Sequence, residues 1–289
     1  MHQVMSYTRL GGKILARGSK IRSTLVVIPS YGRRDLLEKL VADLVRDRAD
    51  YDRLLVIDNL GDPNIEALGV ATVREPTNLR WIGSVNWALA YAVREGFEVL
   101  VVLNSDVRIS IGFVEGLAKC FHADSDVAVT APLYDDFWPH QRANSIPKAA
   151  ALYQPNDTLC KVKFVDGTAL AFSVPLATCV GLLDSRSFDW HGYGADLDYC
   201  VRVRQMGLSV AITGSSYLSH VRRASMDAAL QDETLAVQEV KTGMEAKYGP
   251  SWRRLIGLNP AAFEDEAGRV AEWSWYQSDQ NPRHGFSVT

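Results

Sequence analysis

A chain of 289 residues that is 47% hydrophobic and 22% charged has the balance of a folded protein of one domain plus an appendage, not of a disordered one. A net charge of −3 excludes a general basic footprint for nucleic acid or a membrane surface. The charge is uneven at the start, where residues 1–22 carry Arg9, Lys13, Arg17, Lys20 and Arg22 and no acid, which reads as a solvated basic arm.

Cys120, Cys160, Cys179 and Cys200 lie far apart, with no pair at zinc spacing. They read as reduced thiols, mostly in apolar surroundings, of a reducing compartment. No apolar core follows the basic start, so a cytoplasmic location is expected. Gly167–Leu183 is apolar, but it holds Pro175 and two threonines and reads as a strand followed by a helix, not a membrane span.

Ser23–Ser30 opens with a buried strand. Leu36, Leu37, Leu40, Val41, Leu44 and Val45 then make one apolar helical face. Leu54–Ile57 is a second strand ending in Asp58-Asn59, with Gly61-Asp62-Pro63 as turn material, and Val70–Val73 is a weaker third. A helix over about Trp81–Arg94 leads to the strand Val99–Leu103, five apolar residues with Asn104, Ser105 and Asp106 directly after them. Ile111–Phe121 is the next helix and Val127–Thr130 a short strand. Strands and helices alternating at these intervals predict right-handed βαβ units, an α/β fold with a mostly parallel sheet.

The pattern breaks over Ala131–Lys163, which holds Trp138 and four prolines and reads as a long functional loop. Phe164–Val174 reads as a strand, Leu176–Leu183 as a helix, and Ala195–Met206 as a helix closed by Gly207. Ser209–Ile212 and Ser216–Val221 read as two short strands. Beyond Ser225 the pattern is helical, with Val237, Val240, Met244 and Tyr248 on one face and Gly249-Pro250 as a stop. Residues 277–289 read as a loose polar tail.

In a parallel sheet, Ser30–Arg34, Asp58-Asn59 and Asn104–Asp106 all fall at the carboxyl ends of strands, where open α/β sheets bind ligands. A carboxylate beside another oxygen donor at such an end suits a hard divalent cation holding phosphate oxygens. Asp58 is placed to accept a bond from a nucleobase or ribose, or to close a turn. Asn86 lies on the helix face of Ile82 and Leu89, so it either pins a neighbouring loop or binds a ligand. Asp196 and Asp198 sit in the first turn of a helix. They are either capping residues or a base aimed into the crevice, and Asp198 with Arg202 has the i, i+4 spacing of a structural pair. His220, ahead of Arg222 and Arg223, is either structural or part of a cation and diphosphate site.

Six blocks in order, VVIPSYGR (26–33), VIDN (56–59), NLRWIGSVNWA (78–88), VLNSDV (102–107), VDGTALAFS (165–173) and YGADLDYCVRVRQMG (193–207), together with His220, resemble the inverting family 2 glycosyltransferases. The resemblance is closest to their rhamnosyl- and galactofuranosyl-transferase-like branch and covers about residues 23–225. It implies a GT-A (Rossmann-like) domain, with 1–22 as an arm and 226–289 as a C-terminal helical extension and tail. It further implies a nucleotide-diphosphate sugar as the sugar donor and Mn²⁺ or Mg²⁺ as cofactor. Pro29, Ser30 and Asp58 would then surround the nucleoside, and Asn78, Arg80 and Asn86 would line the donor site. Asn104, Ser105 and Asp106 occupy the metal-motif position, with Asp106 the principal ligand and His220 completing the site. Asp196 matches the base that deprotonates the acceptor hydroxyl, and Asp198 the second acid of that motif.

Four positions depart from the family pattern: Asn104 replaces an aspartate, Arg80 a glycine, Val85 a second asparagine, and Ala195 a glutamate. Arg80 either reaches the diphosphate or closes the donor pocket. A nucleotidyltransferase of sugar-nucleotide synthesis and a non-catalytic nucleotide-sugar-binding module are the competing readings. The acceptor, whether glycan, lipid-linked, protein or modified nucleic acid, is not legible; Trp138, Trp190, His191, Tyr193, Trp252, Trp273, Trp275 and Tyr276 are candidates to stack on sugar. The C-terminal helices are candidates to cover the acceptor cleft or to form a homodimer contact.

Overall fold

Thr24–Ser30 (β1) carries no charged side chain and is buried along nearly its whole length, and the sheet extends to both sides of it. The computed structural model describes residues 23–135, 138–188, 191–221 and 233–258. The further strands are Arg53–Asp58 (β2), Ala71–Arg74 (β3), Val99–Leu103 (β4), Val107–Ile109 (β5), Val127–Tyr134 (β6), Leu159–Val162 (β7), Ala169–Ser173 (β8) and Ser209–His220 (β9). The helices are Arg34–Arg46 (α1), Arg80–Glu95 (α2), Phe113–Ala123 (α3), Val174–Val180 (α4), Ala195–Gln205 (α5), Glu233–Tyr248 (α6) and Trp252–Leu255 (α7).

The sheet runs β3-β2-β1-β4-β8-β6-β9-β5, with β7 also on β9. Its first half, β3 to β4, is parallel, as the alternation of strands and helices predicts. Beyond β4 it becomes mixed: β8 runs antiparallel to both β4 and β6, and β6 pairs β9 in parallel. Helix α2 lies against β1 and β4, with Ile82, Val85 and Leu89 buried, and α1 lies against β5, with Leu37, Leu40 and Leu44 buried. Val45, expected on the same face as Leu44, points outward. Gly96, at φ 75°, caps α2 and returns its N–H to Ala92 and Val93 carbonyls.

Three local expectations are corrected. The 131–163 segment is not one loop, since β6 continues to Tyr134 and β7 adds an edge strand at Leu159–Val162. The strand expected over 164–174 is shorter, starting only at Ala169. The two strands expected over 209–221 are one, β9, broken in register where Pro132 faces Thr213 and Leu133 faces Tyr217. Its first half pairs β7 and its second half pairs β5, and β5 itself is too short to leave a period in the sequence. The basic arm (1–22), Trp190 and the tail beyond 258 lie outside the described residues. Among the described residues, no helix is long and apolar enough to cross a membrane.

Candidate active site at the strand ends

Register alone brings the first polar group together. Ser30 at the end of β1 pairs with Asp58 at the end of β2, which pairs with Arg74 at the end of β3. Asp58 is buried. Its Oδ1 accepts the N–H groups of Leu60 (3.2 Å) and Gly61 (2.9 Å), closing the turn after β2. Its Oδ2 lies 3.3 Å from Arg74 Nε, a charge pairing without hydrogen-bond alignment, and otherwise has no hydrogen-bond partner among the described residues. A buried carboxylate oxygen left this way has an open acceptor position. Neighbouring Asn59 fixes the start of α2, its Oδ1 accepting Leu79 N–H and its Nδ2 donating to Ser84 Oγ, both at 3.0 Å.

Asn78 is exposed at that same helix start and accepts the Arg80 N–H at 2.7 Å. Arg80 sits at φ 56°, in the left-handed region that glycine enters freely and arginine does not. The position where the resemblance implies a glycine thus has a backbone conformation that suits glycine, with an arginine in it. Asn86 takes the first of its two sequence alternatives. Its Nδ2 donates to the Leu183 carbonyl (3.0 Å) and its Oδ1 accepts the Leu183 N–H (2.8 Å), so its amide pins the loop after α4.

The second polar group forms where β4 meets antiparallel β8. Leu103 pairs with Ala169, and Asn104 donates its N–H to the Thr168 carbonyl at 2.9 Å. Asn104-Ser105-Asp106 thus lies beside Asp166-Gly167-Thr168. Ser105 and Asp106 are buried. Val107 pairs with His220 at the end of β9, and His220 Nε2 lies 3.4 Å from Asp106 Oδ1. Burial opposes a charge on His220. The Asp106 hydrogen bond and the negative fields of Asp106, Asp166 and Asp135 outweigh it, so the imidazole pKa lies above its ordinary value. Asp135 also accepts the His220 backbone N–H at 3.0 Å.

Asp196 opens α5 behind Gly194, which is at φ 92°. Its Oδ2 accepts Gly167 N–H and its Oδ1 accepts Leu197 N–H, both at 2.8 Å. Those bonds favour the ionised form. Burial, and after it the charge of Asp166, prevails and pushes the carboxyl up to about 7. A carboxylate tuned to that range is suited to take a proton near neutral pH.

Asp198, expected either as a second acid beside Asp196 or as the i, i+4 partner of Arg202, forms the second arrangement. It is fully buried and engaged by Arg202 Nε (2.9 Å), Lys247 Nζ (2.6 Å) and Tyr248 Oη (2.7 Å). The Arg202 half of this was visible as i, i+4 spacing; the α6 half was not. Its role is to hold α6 to α5.

Sequence reasoning missed Asp166, Gly167 and Trp81 as site residues. Asp166 Oδ1 accepts the Thr168 N–H (2.8 Å) and hydroxyl, and its Oδ2 accepts Trp138 Nε1 (3.1 Å). A Cβ on Gly167 would stand 2.8 Å from Trp81 Cζ2 and 3.3 Å from Asp196 Oδ2, so only glycine lets the indole and the carboxylate close together there. The signal was present in the quoted VDGT block, an acid and a glycine ahead of a buried strand. Trp252, a candidate sugar platform, is fully buried instead.

The donor set can be tested for a divalent cation. Asp106 and His220 offer one carboxylate and one imidazole 3.4 Å apart, and no group of three or more His, Cys, Asp or Glu suited to a metal occurs among the described residues. These residues fit a hard cation that completes its shell with phosphate oxygens and water, and do not fit a closed protein cage.

The arrangement is that of an α/β domain with its polar groups gathered at the strand ends, and the chain belongs to glycosyl transferase family 2, whose model matches residues 25–179. The chain is 35% identical over 202 residues to "Uncharacterized protein Rv1525" of Mycobacterium tuberculosis, covering 70% of this chain and 75% of that one. Its fold is similar to a structure of GalNAc-T7 with UDP, GalNAc and Mn²⁺ (TM-score 0.60, 14% identity, 82% of this chain). It is also similar to the mannosyltransferase PcManGT of Pyrobaculum calidifontis with GDP-Man and Mn²⁺ (TM-score 0.55, 15% identity, 78% of this chain). The chain spans half the length of the first of these and 64% of the second.

Proposed function

We propose that this protein is a metal-dependent inverting glycosyltransferase that moves a sugar from a nucleotide-diphosphate donor to an acceptor hydroxyl. The observation carrying the reading is the gathering at the strand ends of a buried acceptor oxygen (Asp58), a carboxylate–imidazole pair (Asp106, His220) and a carboxylate held by the Gly167 and Leu197 N–H groups (Asp196). The Mn²⁺ in the GalNAc-T7 and PcManGT structures supports a divalent ion in the same role, with Mg²⁺ as the alternative. The six sequence blocks support the rhamnosyl- and galactofuranosyl-transferase-like branch.

In this reading, Pro29, Ser30 and Asp58 hold the nucleoside, with Asp58 Oδ2 accepting from a base N–H or ribose hydroxyl. Asn78 and Arg80 border the diphosphate, and Asn104, Ser105, Asp106 and His220 hold the cation. The cation neutralises the leaving diphosphate when bound. Asp196 faces the crevice from the other side, at the start of α5, and takes the acceptor hydroxyl's proton. Attack opposite the leaving group inverts the anomeric carbon. Burial makes Asp196 basic enough for this, and the Gly167 and Leu197 N–H groups keep its oxygens in place. Residues 23–225 are the catalytic domain, and α6 covers the end that carries Asp198. A homodimer through that face is not supported, because its glycine-lined side packs on its own chain at Phe188. The buried thiols Cys120 and Cys200 agree with a cytoplasmic location.

The test is a panel of UDP-, GDP- and dTDP-sugars with Mn²⁺, read by nucleotide release and by mass spectrometry of the glycosylated product. Nucleoside diphosphate release supports the reading. Pyrophosphate release would replace it with a nucleotidyltransferase, and binding without turnover of any donor with a binding module.

A further inference from the structure

Helix α6 reaches the element carrying Asp196 at three separate places. At its centre, the Glu239 carboxylate accepts backbone N–H groups from three consecutive residues. These are His191 (3.0 and 3.1 Å to its two oxygens), Gly192 (3.2 Å) and Tyr193 (3.4 Å). At its end, Lys247 bridges Asp184 (2.8 Å) and Asp198 (2.6 Å), and Tyr248 donates to Asp198 (2.7 Å). Between them lies a contact that side chains would forbid. A Cβ on Gly243 would stand 2.4 Å from Phe188 Cε1, and one on Gly194 would stand 2.9 Å from the same atom and 3.2 Å from Val240 Cα. Phe188 is buried between the two glycines.

The 191–194 backbone is where α5 begins. Gly192 and Gly194 sit at φ 90° and 92°, and their carbonyls accept the N–H groups of Ala195 (3.2 Å) and Asp198 (2.9 Å). Glu239 therefore binds one peptide from its N–H side, that of Gly192 and Tyr193, whose C=O side accepts the Ala195 N–H at the start of the helix bearing Asp196, and it holds the two N–H groups just before it. Charge-assisted bonds to consecutive N–H groups are strong and directional. A loop built on left-handed glycines has no conformational preference of its own that would hold it.

We propose that α6 is part of the catalytic apparatus, and that Glu239 is a positioning residue which sets the loop ahead of Asp196 by binding the N–H groups of His191, Gly192 and Tyr193. The inference rests on Asp196 being the base of the proposed transfer. Glu239 touches no reacting atom; it acts through Gly192 and the first turn of α5.

The experiment compares Glu239→Ala and Glu239→Gln with the parent chain. It reads kcat and donor KM for nucleotide release from UDP-glucose, UDP-galactose and GDP-mannose with Mn²⁺, together with hydrogen exchange at the 191–193 amides. In Glu239→Ala those amides exchange about tenfold faster or more. Its kcat falls on the order of 10²-fold, the cost of a misplaced catalytic group, while donor KM stays within about twofold. Glu239→Gln keeps one carbonyl acceptor and recovers part of kcat. Unchanged exchange, full kcat despite a loosened loop, or a loss carried entirely by donor KM would each overturn the proposal. If the parent chain turns over none of the three donors, the transfer reading is what fails for them, and exchange at 191–193 alone decides whether Glu239 holds the loop.

Discussion

Asp196 Oδ2 accepts the backbone N–H of Gly167 at 2.8 Å, which ties the first turn of α5 to the start of β8 across the crevice. The bond joins the two halves of the site: Gly167 adjoins Thr168, whose carbonyl holds Asn104 two residues before Asp106. Gly167→Ala is expected to drive its methyl into Trp81 and towards Asp196. Overpacking of this kind costs roughly 1–3 kcal/mol. The variant should lose turnover and melt earlier while still binding nucleotide; a variant with parental turnover would show that the close approach is not needed.

The raised Asp196 carboxyl predicts a pH profile. With a folded value of about 7 against an ordinary 3.8, the group is protonated below neutrality and cannot act as base. Nucleotide release should therefore rise with pH through about 7. The stability sign is opposite: the folded state holds this proton more tightly than the unfolded chain, so the group's contribution to stability falls as pH rises from the ordinary value through about 7. Asp166→Asn removes the neighbouring charge that raises Asp196, and should move the acid limb of the rate profile to lower pH. A limb that stays in place would show that Asp166 has no electrostatic hold on the base.

Asn86 was expected either to line the donor site or to pin a loop, and its amide is bonded on both sides to Leu183. Asn86→Ala should lower stability by about 1–3 kcal/mol, the cost of leaving partly buried backbone groups unpaired, with nucleotide affinity unchanged. Calorimetric UDP binding beside a denaturant melt checks both. A large loss of affinity with full stability would return Asn86 to the donor site.

Arg80→Gly gives a split outcome. Relief of the left-handed arginine is worth roughly 1–2 kcal/mol, against roughly 0.5–1 kcal/mol for the added freedom of glycine, so the denaturant midpoint should hold or rise slightly. If Arg80 borders the diphosphate, UDP-sugar affinity should fall by about tenfold, the size of one charge-assisted contact. A variant that is both more stable and equally tight would remove Arg80 from the site.

Much of this was legible because the physics is local. Five apolar residues followed by Asn104, Ser105 and Asp106 mark a buried strand end wherever they occur, and Ser30 and Asp58 fall at the same end of the parallel strands by the same rule. Asp166 escaped because it precedes an antiparallel strand, where the polar group sits at the amino end and the rule of carboxyl ends does not apply. β5 and β7 span three and four residues, less than a period needs. Only the Arg202 half of the Asp198 surroundings is legible, because its partners Lys247 and Tyr248 lie about fifty residues away in sequence and nothing in α5 itself encodes them. The αL conformation at Arg80 was hidden for the opposite reason: the residue present is one that ordinarily avoids it.

The most direct measurement is nucleotide release from a sugar donor that the parent chain turns over, compared between the parent and Asp196→Asn, with UDP affinity in Mn²⁺ measured on both. If Asp196 is the base, the variant loses about 10² to 10⁴ in rate and binds UDP as tightly as the parent. Near-parental release by Asp196→Asn would contradict the account.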